Sequence, residues 1–246
     1  MTVPAGTKYL FEHLEPDADN QLSKIVLFED FSDAHIDTTN QHLIRWIDLD
    51  PIRKASRAVS VELAQASARL PNLRHLSASF LVDACHFFQP LSPPSGKNSW
   101  ANLASLALTS RLLVPSQDSK TVNDLLAAAA AMVIMMPQLN LMQLWNGRKG
   151  LAGVFRYQAS PANNHQFASI TWRATWNLEL ESRVTRAWED VASKRRLSVF
   201  RVVKEMLDTG AAIKSHGDAI IQLGLMHDVI HPLSLSQIQR DHALLD

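Results

Sequence analysis

Ser215, His216 and Asp218 stand within the phrase Lys214-Ser215-His216-Gly217-Asp218 and bring together the side-chain types of an acyl-transfer triad. A triad is normally assembled from distant segments, so the phrase reads instead as a turn stabilised by Asp218, with Gly217 taking a positive φ. His227 and His231 have the i, i+4 spacing of a helical metal pair. No His-Glu-x-x-His pattern surrounds them, Pro232 follows at once, and Val229-Ile230 favours a strand, so no metal site is expected. Asn146-Gly147-Arg148-Lys149-Gly150 has the glycines and cations of a phosphate loop without its spacing. A hairpin turn between Leu144 and Val154-Phe155-Arg156-Tyr157 accounts for it better. Lys194-Arg195-Arg196 closes a helix, where cations complement the dipole.

Ala168 to Trp176 alternates Ile170, Trp172, Ala174 and Trp176 on one face with Thr171, Arg173 and Thr175 on the other. The rings read as core, where aromatic side chains contribute much of the buried area; the sharper reading is a stacking platform beside a basic residue. Trp145, Arg148, Tyr157, Trp172, Arg173, Trp176, His216 and Asp218 are accordingly the candidate binding residues.

The elements that must position these residues are announced by a phrase that recurs four times. It reads Leu22-x-x-Ile25-x-Leu27, Leu73-x-x-Leu76-x-Ala78, Leu103-x-x-Leu106-x-Leu108 and Leu139-x-x-Met142-x-Leu144. Each copy puts side chains two apart on one face of a strand, the pattern of a leucine-rich-repeat-like parallel sheet. The copies begin 51, 30 and 36 residues apart, whereas leucine-rich repeats run about 20–29. The expected fold is therefore α/β, an irregular leucine-rich-repeat-like stack of parallel strands covered by helices, with a doubly wound parallel sheet as the competing topology. Asp50 and Pro51 start a helix that Pro71 stops. Thr121 and Asp124 form a capping-box-like pair before Leu125 to Met132, which Pro137 ends. Ser182 caps a later helix, and Ser234 and Gln237 mark a final one from Leu235 to about Leu245. Residues 1–20 read as an amino-terminal extension and 21–246 as a single domain.

Bulk composition narrows the function classes. With 246 residues, 46% of them hydrophobic, the chain can bury a large core. Lys plus Arg equals Asp plus Glu at 24 each, so no global basic excess advertises nucleic acid. Cys85 has no internal partner and fits a reducing compartment. The amino terminus lacks a secretory signal, and Leu125 to Met136 is too short to cross a bilayer, which needs roughly 20 residues. The expectation is a cytoplasmic protein, or a nuclear one, without membrane, metal or cofactor.

Six phrases carry a resemblance: Leu10 to Leu14, Leu27 to Phe31, Ser105 to Ser110, Leu144 to Gly147, Ala168 to Arg173 and Ile213 to Ile220. In these the chain resembles an uncharacterised fungal family whose longer members begin with an F-box-like segment, and it looks like the carboxyl-terminal half of such a protein. Proteins of this kind are associated with fungal arginine-containing cyclodipeptide synthases, which use aminoacyl-tRNA. The resemblance thus implies a pocket with carboxylates for a guanidinium and a hydroxyl nucleophile for an aminoacyl ester. Glu29, Asp30 and Asp83 are the candidate carboxylates. Ser79 and Ser110, with Ser77 and Thr109, are the hydroxyls near strand ends, where helix capping is the competing role.

Two functions are therefore in play. The first is a non-catalytic protein-interaction module with a protein partner, expected to show an exposed apolar patch. The second is a secondary-metabolism enzyme, tRNA-dependent, expected to show buried acidic and hydroxyl groups close together at one sheet end.

Overall fold

The computed structural model describes residues 21–29, 50–89, 99–160, 167–208, 213–225 and 229–243. In chain order the elements are β1 (Lys24–Phe28), α1 (Asp50–Arg69), β2 (His75–Asp83), α2 (Ala84–Phe87), β3 (Ser105–Thr109), α3 (Ser119–Val133) and β4 (Leu141–Arg148). They continue as β5 (Leu151–Ser160), β6 (Phe167–Ala174), α4 (Ser182–Lys194), β7 (Val199–Met206), α5 (His216–Leu223) and α6 (Pro232–Ala243).

The recurring leucine phrase becomes the register of the sheet. Ile25, Leu76, Leu106 and Met142 stand side by side across β1 to β4, and Leu27, Ala78, Leu108 and Leu144 form the next row. The leading leucines Leu73, Leu103 and Leu139 are buried just before their strands, with Leu22 partly buried against the same core. Each junction repeats one hydrogen-bond step. Ser23 O accepts from Arg74 N and His75 N, Arg74 O from Ala104 N and Ser105 N, and Ala104 O from Asn140 N and Leu141 N. Apolar side chains at matching steps thus stack into continuous rows, each buried leucine contributing about 1.5–3 kcal/mol.

The seven strands lie in chain order, β1-β2-β3-β4-β5-β6-β7. A doubly wound sheet requires a reversal of strand order, so that alternative is excluded. The sheet is not wholly parallel either: β4, β5 and β6 form an antiparallel meander before β7 resumes the parallel direction. The expected hairpin is present, with Arg148 opposite Leu151 and Gly150 at φ 73° in the turn. Helices α1 to α4 pack on one sheet face, where Leu63, Phe87, Leu126 and Trp188 meet Leu76, Leu106, Met142, Phe155 and Trp172. The other face has a smaller core, in which Trp145, Ala152 and Val154 meet Ala219, Ile220 and Leu223 of α5 and Leu235 and Ile238 of α6.

Several local expectations are corrected. Asp118, not Thr121, caps α3, its side chain accepting from Thr121 N at 3.1 Å. Helix α4 starts after Glu181, whose N–H is taken by Asn123 Oδ1 at 2.8 Å instead of by a local Ser182 cap. Gly217 lies inside α5 and has no positive φ. Val229 and Ile230 are not in a strand, and α6 begins at Pro232, earlier than Leu235. Among the described residues no helix is long and apolar enough to cross a membrane.

Candidate functional site

The carboxyl ends of β2 and β3 bring the sequence-selected carboxylate and hydroxyl together. The register of β2 slips between Ala78 and Asp83, and Phe80 sits in the slip at φ 66°, a left-handed conformation rare for a bulky residue. Thr109 Oγ1 accepts from Phe80 N at 2.7 Å and donates to Val82 O at 3.0 Å, so its hydroxyl satisfies backbone groups released by the bulge. Asp83 then caps α2. It accepts from Cys85 N at 3.1 Å, Ser110 Oγ at 2.9 Å, Arg111 N at 3.2 Å and Arg111 Nε at 3.0 Å. Burial pushes its carboxyl pKa up, but the Arg111 guanidinium and the converging donors outweigh that and hold it below the usual value. The pair Asp83–Ser110 has the spacing of a base and a nucleophile, yet a carboxylate with four donors on it is a weak base.

The remaining members of that set disperse. Glu29 is exposed and donates its backbone N–H to Ser79 O at 3.0 Å. Ser79 is buried, and its hydroxyl has no partner among the described residues. Asp30 lies outside the described residues, as does His227. Burial, with the Asp83 charge beside it, pushes the Cys85 thiol up to about 12.

On the less covered face the rings of Phe28, Phe80, Trp145 and His216 meet. Phe80 stands 5.1 Å from Trp145, 5.6 Å from Phe28 and 5.6 Å from His216, centroid to centroid, and Phe28 is 5.9 Å from His216. His216 opens α5, and the triad-like phrase is its capping box: Ser215 Oγ accepts from Asp218 N at 3.2 Å while Asp218 Oδ2 accepts from Ser215 N at 3.1 Å. Helix α5 comes close because Gly147 has no side chain; a Cβ there would lie 2.4 Å from Ala219 Cβ. Phe80 meets Phe28, Trp145 and His216 edge to face, while the Phe28 and His216 rings are tilted at 37°.

The other binding candidates sit elsewhere. Tyr157 is buried 4.8 Å from the Trp188 ring, and burial raises its phenol pKa. Trp172 is in the main core, donating from Nε1 to Trp176 O at 3.2 Å, with the two rings 5.3 Å apart. Trp176 lies over Gly153, where any Cβ would come within 2.3 Å of its ring. Arg173 is on the opposite face, its Nη1 3.1 Å from Glu205 Oε2. Arg148 is exposed beside the hairpin turn. These residues therefore form no single convergent site. A shallow hollow of about 20 Å³, lined by Lys24, His75, Ser77 and Ser105 among others, touches none of these binding candidates. Among the described residues no cluster of three or more His, Cys, Asp or Glu side chains could hold a metal.

Sequence reasoning missed β7, the last strand of the sheet. It has a strand neighbour on one side only among the described residues, and Val199, Val202 and Met206 are 43%, 46% and 59% exposed. Its β-branched and aromatic residues were the available signal, but they fall on both faces and hide the period of two.

Residues 16–231 match the model of a family of unknown function, DUF6546. The chain belongs to this family. No curated protein and no solved structure matches this DUF6546 chain. The match agrees with the expectation of an uncharacterised family and carries no chemistry of its own.

Proposed function

We propose that this chain is a non-catalytic protein-interaction module that receives an extended segment of a protein partner along β7. The observation that carries the reading is the edge itself: eight residues of strand with no strand beside them, among the described residues, on the side away from β6, and with exposed apolar side chains. Such an edge offers backbone donors and acceptors for one more strand and side-chain contacts on both faces. A cytoplasmic or nuclear setting suits an edge that must find a folded partner.

The test is a photo-crosslinking residue at Val202, with one at the exposed Glu189 of α4 as control. Capture at Val202 alone, abolished by Met206→Lys without a lower melting temperature, is the expected result. Capture that ignores Met206→Lys sinks the reading. The tRNA-dependent synthase is the second reading, and the 2.9 Å contact of Ser110 Oγ with Asp83 is what favours it. An arginine-containing diketopiperazine, dependent on Ser110, in a fungal host producing the chain would put it first.

A further inference from the structure

We infer that the partner strand of β7 is β7 of a second copy, paired antiparallel about a two-fold axis through Val203. This rests on reading β7 as a docking edge and goes further by naming what docks. The register is decided by the residues themselves. From the pairing with β6, Phe200, Val202, Lys204 and Met206 share the sheet face of Ala168, Ile170, Trp172 and Ala174, while Val199, Arg201, Val203 and Glu205 share the other. Two copies joined into one continuous sheet must keep like faces together, and a two-fold makes the contact reciprocal.

Centring the axis on Val203 sets Arg201 of each copy opposite Glu205 of the other, twice over. It also sets Phe200 opposite Met206, Val202 opposite Lys204, and Val203 opposite itself. Moving the axis to Val202 would place Arg201 opposite Val203 and Glu205 opposite Val199, with no opposite charges meeting across the axis. Moving it to Lys204 would place two lysines directly opposite each other, which is unfavourable. Of these three registers only the one at Val203 sets opposite charges against each other; Lys204, which there faces Val202, keeps its own ion pair with Glu179 at 3.1 Å. Glu205 is 46% exposed on its side chain even with its ion pair to Arg173 in place, and Arg201 is exposed as well. Met206, the most exposed of the apolar side chains on β7 at 59%, is covered by Phe200 of the second copy.

Sedimentation velocity over a concentration series tests the pairing. The intact chain should move from monomer to dimer as concentration rises. Arg201→Glu and Glu205→Lys, each alone, place like charges opposite one another at two symmetric positions and should weaken dimerisation roughly tenfold or more. Mixed together, the two variants restore opposite charges at both positions and should form a heterodimer. Val203→Cys gives an independent reading in the otherwise unaltered chain: mild oxidation should link two copies through position 203, and Val199→Cys should not. An intact chain that stays monomeric, or variants that dimerise as well alone as mixed, would overturn the inference. A monomeric chain that still captures other proteins at Val202 would overturn the self-pairing while leaving the docking edge in place.

Discussion

Asp83 shows how a residue chosen for chemistry can be committed to structure. Its carboxylate takes donors from α2 and from Ser110 and Arg111 just after β3, so it ties these two segments together at the bulge of β2. A carboxyl held below its unfolded pKa contributes stability above that pKa, and the contribution disappears as pH falls through the lower, folded value. The chain should therefore lose stability on acidification below about pH 4, and Asp83→Asn should flatten that limb. Asp83→Ala should cost about 2–3 kcal/mol near neutrality, since it strands the Cys85 and Arg111 backbone donors in a partly buried corner. Urea midpoints across pH measure both; an acid limb unchanged in Asp83→Asn would mean that other carboxyls govern it.

Arg195 does the same work between elements. It is the residue that ends α4, but its guanidinium reaches back to the end of α3, donating to Val133 O at 3.3 Å and to Met136 O, and further to Leu139 O before β4. It also lies 5.7 Å from the Tyr157 ring centroid. Within the basic run Arg195 thus serves the carboxyl end of a neighbouring helix, while Lys194 stands in the last turn of its own. Arg195→Lys, which replaces a planar fork by a single point charge, should lower the unfolding free energy by about 1–3 kcal/mol, whereas Lys194→Ala, at an exposed position, should change it little. Denaturant unfolding of both variants checks the contrast. The same logic explains what was legible in the sequence. The leucine phrases were readable because each strand hides one full face, so periodicity maps directly onto register. Helix starts were misplaced because Asp118 and Asn123 act through side-chain geometry, and Asn123 across more than fifty residues of chain. Tryptophan on one face of β6 was readable, but the meeting of Asp83 with Ser110 depends on the slip in β2, which no local pattern announces.

At the scale of the whole molecule, the strand order β1 to β7 repeats the order of the chain. Every ladder therefore joins strands that are consecutive in the chain, and no later strand must be inserted between two earlier ones. Among the described residues α5 returns, laying itself against β4 and β5 once β7 has been made, and α6 joins it in the same core. Synthesis and assembly can consequently proceed in the same direction, with each new strand closing on a finished edge as it leaves the ribosome. Stalled nascent chains of increasing length should gain protease resistance in steps that follow β3, β4 and β6, and a single late step would contradict this. Since the growing edge is always the most recently made strand, β7 is the place where, among the described residues, a sheet built by vectorial addition happens to stop.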